Sequence, residues 1–474
     1  MTSKDIPAAL AAALDYLPRW LAFQMRANEQ PGCSFAVALH GRVVSEFALG
    51  QADATAKLTP RHRFRVASHS KTFTASAVLK LREQGRWRLD DPVGRFVDGL
   101  HPQVGAATLA QLLSHTAGLV RDGGDAGQWS DRRPFLDEAG LRADLAAGPV
   151  LPVNTRFKYS NHGYGLLGLA IASITGEPYT DWVAREIVAA SNLRETAPDA
   201  PDASLAAAWP LARGHSAKWP LGRRVQIPGD NPTNALAAAT GFVSTAADLV
   251  RFFASLAPDA KTSVLSPESR REMLRRQWRD PYGAVERWYG LGTLSGSTPG
   301  AGPEWDWFGH TGGFQGTLSR TACVPAQGLT LSALTHSADG LAGVWIDGAL
   351  QVLRAHLQYG APTPRTAAWT GRWWSLWGAF DLLPMADRVL AANPALLNPL
   401  QDAPQIEPAD ASSADGGTTD LGRTTLAGGF ASHGEPARLE RDARGRVKAV
   451  WLGGTRLQTE ARAAAELARR YGPE

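Results

Sequence analysis

The sequence predicts an α+β fold followed by a smaller β domain. Strand-like segments stand at both ends of roughly the first 360 residues, helix-like segments fill the middle, and a turn-rich stretch with alternating segments follows a Pro/Gly joint. That pattern is what an antiparallel sheet flanked by helices, with a helical subdomain and a cleft between them, requires.

Taken in order, residues 6–14 are apolar, and Leu17, Trp20, Leu21, Phe23 and Met25 continue at helical spacing, which predicts an amphipathic first helix. Only Lys4 precedes the apolar run, and Asp15 ends it early, so a signal peptide is not expected. No run reaches the length of a membrane span, and the expected location is the cytoplasm. Segments 34–39 and 43–49 flank His40-Gly41-Arg42 and predict a hairpin. Phe64-Arg65-Val66-Ala67 reads as extended, and 71–84 as a helix with Phe73, Ala77, Val78 and Leu81 on its apolar side, stopped by Gly85. An apolar helix is predicted over 163–175, and a strand over Trp307-Phe308-Gly309-His310-Thr311-Gly312-Gly313-Phe314. A second hairpin joins 316–324 to 329–334 through Pro325-Ala326-Gln327-Gly328.

Two domains and a linker result: a catalytic-sized region over 1–359, a stiff linker over 360–366 containing Gly360-Ala361-Pro362-Thr363-Pro364, and a β domain with a terminal helix over 367–474. Gly371-Arg372-Trp373 is similar to the Gly-x-Trp start of a lipocalin-like barrel. Segments around Val389, 423–427, 438–440 and 447–452 would complete it, with 410–420 as a polar loop and 459–471 as a last helix. Trp369, Trp373, Trp374 and Trp377 are read as barrel core, and His433 as a turn residue.

Composition excludes several classes of function. The 49 basic and 45 acidic residues nearly balance, leaving +4, and the Arg270-Arg271 and Arg275-Arg276 pairs read as a solvated helix face, so no nucleic-acid partner is expected. Cys33 and Cys323 stand alone in apolar runs and read as free buried thiols. A His-x-x-x-His pattern is missing, and neither a metal nor a cofactor is expected.

The chemistry centres on Ser68-His69-Ser70-Lys71. A serine hydroxyl needs a base to become a nucleophile, and a lysine three residues on lies one helical turn away on the same face. A helix mouth also favours developing negative charge. By themselves these residues read more readily as an N-cap and a solvated first-turn lysine. About ninety residues on, Tyr159-Ser160-Asn161 supplies a phenol that relays a proton where nearby cations lower its pKa, and an amide that holds both substrate and lysine; the alternatives are a core-edge tyrosine and a helix cap. His310-Thr311-Gly312-Gly313 places glycines where a ligand lies close to the strand backbone.

In this order the three elements resemble the serine β-lactamase and penicillin-binding-protein superfamily, in its branch of class C β-lactamases, D-aminopeptidases, alkaline D-peptidases and family VIII esterases. Phe64-Arg65-Val66-Ala67-Ser68, Leu112-Leu113-Ser114-His115-Thr116-Ala117-Gly118-Leu119 and Gly241-Phe242-Val243-Ser244-Thr245-Ala246-Ala247-Asp248-Leu249 support it over about residues 10 to 358. The resemblance implies a β-lactamase-like sheet, Ser68 as acylated nucleophile, Lys71 and Tyr159 sharing its proton, and Asn161 orienting substrate and lysine. It implies an oxyanion hole at the N–H groups of Ser68 and Gly313, beside Gly312. His310 stands where typical class C enzymes carry lysine, offering a conditional charge that titrates near the ordinary histidine value, which points away from efficient β-lactamase activity and toward amides and peptides. The implied function is a serine hydrolase of peptide or amide bonds, D-amino-acid substrates included, with a small molecule or peptide as partner. Related penicillin-binding-protein-type thioesterases, which pair such a domain with a lipocalin-like one and cyclise peptides, give an alternative; an esterase and a non-catalytic binding protein are the others. Loops 122–147 and 212–234 would set specificity, and oligomeric state is not legible in the sequence.

Overall fold

A computed structural model describes residues 6–199, 210–283, 286–298, 304–409, 420–428 and 431–472. The chain divides into two compact units, one spanning Gln30–Ile346 and the other joining the N-terminal residues up to Glu29 to everything from Asp347 onward.

The first unit is built on an eight-stranded antiparallel sheet. In spatial order its strands are Arg42–Gly50, Gly32–Leu39, Leu329–Thr335, Thr317–Val324, Asp306–Phe314, Leu294–Ser297, Arg287–Tyr289 and Trp278–Asp280. The hairpin from Gly32 to Gly50 turns at His40 and Gly41, both at positive φ (49° and 78°), the twist a two-residue turn needs. The second hairpin pairs Val324 with Leu329 and Leu318 with Thr335. Cys33 and Cys323 are free and buried on two strands that flank the Leu329–Thr335 strand, and burial pushes the Cys323 thiol up to about 12.

The helix Ala246–Ser255, capped by the Thr245 hydroxyl, packs on one face of the sheet, its Phe252 stacking on Phe73 of the buried helix Ser70–Glu83. That helix runs through the core beside Asn161–Thr175, which Ser160 caps and Gly176 ends at positive φ. Short helices at Leu109–Leu113 and Glu138–Leu145 and the turn from Ala237 to Gly241 complete the helical layer.

Two local expectations are corrected here. Residue 67 is not extended: Ala67 has φ +48° and opens a 3-10 turn, Ala67–His69, ahead of the helix. Periodicity puts Arg270 on a solvated face, but the structure buries it, and its Nη1 donates to the carbonyls of Ala257 (2.6 Å) and Ala260 (3.0 Å), satisfying the charge with backbone dipoles.

The second unit holds a closed barrel of eight strands, each pairing with the next from Gly371–Ser375 to Thr455–Gln458, with Trp374 opposite Gln458 closing the ring. Trp369 and Trp373 fill it with Leu382, Val389, Ile406, Val450 and Leu457. Trp377 is 92% exposed at the first turn, so the reading of it as core is wrong: the Ser375–Gly378 pair closes a tight turn whose two inner residues must point outward. Residues 360–366 carry threonines tied to the barrel, Thr363 and Thr366 donating to the Ala386 carbonyl at 2.9 and 2.8 Å. The helix Ala8–Ala27 belongs to this unit; Tyr16 donates to Asp381 (3.0 Å) and Gln24 to the Pro394 carbonyl (2.6 Å). The terminal helix is Glu460–Tyr471 and His433 sits in a turn; of the polar loop expected at 410–420, only Asp420 lies within the described residues. No described helix is long and apolar enough to cross a membrane.

Candidate active site

Ser68 sits in the 3-10 turn that joins the strand Phe64–Arg65 to the buried helix. Ala67 reaches its left-handed conformation without glycine, which costs roughly 1–2 kcal/mol, and the turn is fastened around it. Val66 N–H donates to the Phe242 carbonyl (3.0 Å), Phe242 N–H to Ser70 Oγ (3.0 Å), and Ser70 Oγ–H to the Ala67 carbonyl (2.5 Å). His69, next to Ser68, points into the core; its Nδ1 meets the Val66 carbonyl and its Nε2 the Thr321 hydroxyl, each at 3.0 Å.

Two of the residues singled out in the sequence, Lys71 and Tyr159, converge on the Ser68 hydroxyl, and a third, Asn161, reaches Lys71. Lys71 Nζ stands 3.1 Å from Ser68 Oγ, and the Tyr159 hydroxyl donates to the same oxygen at 2.8 Å. Lys71 Nζ also donates to Asn161 Oδ1 (2.7 Å) and to the Ala239 carbonyl (2.8 Å), and lies 4.7 Å from the centre of the Tyr159 ring. Asn161 is the first residue of its helix, so the cap is Ser160 and the amide is free to face inward.

Burial governs the electrostatics. It pushes the Lys71 amine well below its ordinary value, Asp122 opposing and Arg121 assisting. It pushes the Tyr159 phenol up, against its hydrogen bond to Ser68 and the Arg121 charge. The phenol therefore stays protonated and donates; the Arg121 charge acts in the direction the sequence reading supposes, but burial outweighs it. A neutral amine has two hydrogens and one lone pair. The Asn161 and Ala239 oxygens accept the two hydrogens, which leaves the lone pair for the proton of Ser68.

His310 lies on the Asp306–Phe314 strand, and its hydrogen-bond partners are Tyr289 and Thr311 rather than Ser68. Its Nε2 is 3.0 Å from the Tyr289 hydroxyl, and its Nδ1 lies 2.7 Å from the Thr311 carbonyl and 3.0 Å from the Thr311 nitrogen. Burial, then the neighbouring His69, hold its pKa well below the usual histidine value, so it is neutral rather than conditionally charged near pH 6.5. Gly312 on the same strand abuts Val66, just ahead of the Ser68 turn, while Gly313 is exposed.

Several neighbours carry no individual signal in the sequence. Asp122 accepts from Asn161 Nδ2 (2.6 Å) and Trp129 Nε1 (2.9 Å). His115 lies among aromatic rings, 4.2 Å from Tyr159, 5.0 Å from Tyr164 and 4.7 Å from Tyr289, its Nδ1 accepting from Ser160 N–H (3.1 Å). The string around His115 is visible in sequence; its place beneath Tyr159 is not. Among the described residues, no group of three or more His, Cys, Asp or Glu is placed to hold a metal ion.

Comparison with known proteins agrees with this geometry. A family model described as Beta-lactamase matches residues 18–354. Protein flp of Staphylococcus aureus (strain MW2) is 30% identical over 159 residues, 32% of each chain, so this chain spans about a third of the length of the first curated relatives it matches. The solved structure of SurE superposes with a TM-score of 0.61 at 25% identity, covering 95% of this chain and 99% of that one. A D-stereospecific amidohydrolase from Streptomyces superposes with a TM-score of 0.55 at 26% identity, covering 69% of this chain and 94% of that one.

Proposed function

The chain belongs to the beta-lactamase family, and from that premise we propose that it is a serine hydrolase of the amidase or esterase type in which Ser68 is acylated by peptide or amide substrates, D-aminoacyl ones included. The observation that carries this is the shared hydroxyl: Ser68 Oγ is within hydrogen-bond distance of an amine whose pKa burial lowers (3.1 Å) and a phenol whose pKa burial raises (2.8 Å).

In this reading Ser68 Oγ attacks the acyl carbon and its proton passes to the lone pair of Lys71. The new oxyanion lies toward the N–H groups of Ser68 and Gly313, each such donor being worth about 2.7–4 kcal/mol elsewhere. The C–N bond then breaks, and Tyr159 is the group placed to protonate the leaving nitrogen. Water attacks the acyl-enzyme by the reverse sequence and releases the acid. Asn161 offers its amide to substrate and lysine together. A neutral His310 gives a substrate carboxylate no fixed cation, which favours amides and peptides over β-lactams.

The eight-stranded barrel supports a second reading, a penicillin-binding-protein-type thioesterase in which the substrate's own amine replaces water and closes a ring. Mass spectrometry separates the two. The protein is incubated with D-aminoacyl amides, p-nitrophenyl esters, nitrocefin and a peptidyl thioester, beside its Ser68→Ala variant. Free acid from the amides is expected, a cyclic product from the thioester selects the second reading, and turnover surviving in Ser68→Ala removes Ser68 as nucleophile.

A further inference from the structure

Asp122 lies behind Asn161, on the far side from Lys71, and is 7% exposed. Its Oδ1 accepts from Asn161 Nδ2 at 2.6 Å and from Trp129 Nε1 at 2.9 Å, and its Oδ2 pairs with Arg121 Nε at 3.2 Å. A carboxylate only accepts, so it decides which way round the amide stands. With Nδ2 committed to Asp122, Asn161 must present Oδ1 to Lys71. The flipped amide would set oxygen against carboxylate and N–H against amine, two repulsions in place of two hydrogen bonds. The backbone holds the register, because Asn161 N–H donates to the Arg121 carbonyl at 2.9 Å.

We propose that Asp122 is a positioning residue for the acylation step: through the Asn161 amide it fixes the acceptor that takes one hydrogen of the Lys71 amine, and its charge sets the pH at which that amine becomes a base. The inference rests on the reading of Ser68 as nucleophile.

The second half follows from what surrounds the amine. Tyr159 and Tyr164 present their ring faces to it at 4.7 and 5.5 Å, and the Ala239 carbonyl accepts from it. His115 and His310 also lie within electrostatic reach, and both are held neutral by burial. Arg121 and Asp122 are the remaining charges that act on it, with opposite signs, and burial outweighs both. Taking away the negative one leaves desolvation and Arg121 acting together. The ammonium then loses its proton at lower pH.

The test is the second-order rate of labelling by a fluorophosphonate, followed by intact mass from pH 5 to 10 in the parent, Ser68→Ala, Asp122→Asn and Asp122→Ala. The serine oxygen bonds to phosphorus, fluoride leaves, and the proton goes to Lys71, so the acid limb reports that amine. Asp122→Asn keeps an oxygen for Asn161 and Trp129 but drops the charge; its limb is expected to move roughly one unit toward lower pH with the high-pH plateau retained. Asp122→Ala frees the Asn161 amide, and its plateau is expected to fall about tenfold or more. A limb in Asp122→Asn that coincides with the parent's overturns the inference, as does an undiminished plateau in Asp122→Ala. A structural role alone would lower both plateaus and move neither limb. Labelling that persists in Ser68→Ala overturns the nucleophile itself, a separate result. Should Asp122→Ala not fold, the limb position of Asp122→Asn decides.

Discussion

Gly312 lies so close to the carbonyl of Val66 that a Cβ at residue 312 would overlap that oxygen and the Ser319 hydroxyl as well. The strand bearing His310 to Gly313 and the turn bearing Ser68 are therefore in backbone contact, with no side chain between them. This is the closeness an oxyanion site drawn from both segments needs.

Gly312→Ala should separate the two segments. The rigid neighbours are a carbonyl and a buried serine, so the strand must shift, at a cost of about 1–3 kcal/mol in stability. The catalytic loss should be larger, about a hundredfold in kcat, because misplacement by an ångström is felt at the reacting atoms. Denaturant unfolding and turnover of a p-nitrophenyl ester, measured side by side, check the pair of expectations; full activity would mean that Gly312 does not set the spacing.

Tyr159→Phe removes the 2.8 Å hydrogen bond to Ser68 and nothing of the ring packing on His115 and Lys71. Since burial keeps the phenol protonated, the loss falls on proton delivery to the leaving group. Amide turnover should drop by about a hundredfold to ten-thousandfold in kcat with KM little changed. A fluorophosphonate, whose fluoride leaves with little protonation, should label the variant with a much smaller penalty. Equal losses on both substrates would mean that Tyr159 acts on Ser68 alone.

The sequence made Ser68 and Lys71 legible because a helix converts a spacing of three into proximity, and Tyr159 and Asn161 legible because their order along the chain is itself a pattern. Asp122 and the Ala239 carbonyl were not legible. The first reaches the site through a loop whose path no periodicity encodes, and the second is a backbone atom with no residue type to mark it. The same blindness explains Arg270, whose burial depends on three carbonyls arriving from 255–260. The pKa directions of Tyr159 and His310 also lay beyond the sequence, since burial, the largest influence on each, is a property of the packed core.

Four buried histidines, with His62 and His356 acting in the same direction, make stability depend on acid. Burial is the leading cause in each case, holding His69 and His336 down to about 4 and His115 and His310 well below the usual value. The unfolded chain takes up protons at these positions below its ordinary value near 6.5 while the folded one does not, so stability is full above that pH and falls as pH drops toward 4. Each histidine contributes up to about 1.4 kcal/mol per pH unit, and the four together about 5. Urea unfolding at pH 7, 6 and 5 should show such a slope, and His336→Gln, away from Ser68, should reduce it by up to about 1.4 kcal/mol per pH unit. A flat profile in this window would mean that the imidazoles are protonated in the fold.

Trp369 and Trp377 test the barrel against each other. Trp369 is fully buried among Trp373, Leu382 and Val450, whereas Trp377 is 92% exposed at the first turn. Trp369→Ala leaves a large cavity in a small core, and the barrel should lose about 3–5 kcal/mol. Trp377→Ser removes surface that makes no core contact and should stay within about 0.5 kcal/mol of the parent. Both should leave ester turnover by the Ser68 site intact wherever the protein remains folded, because every residue hydrogen-bonded to Ser68 and Lys71 belongs to the Gln30–Ile346 unit. A loss of several kcal/mol in Trp377→Ser would mean that the indole is packed against the barrel rather than exposed.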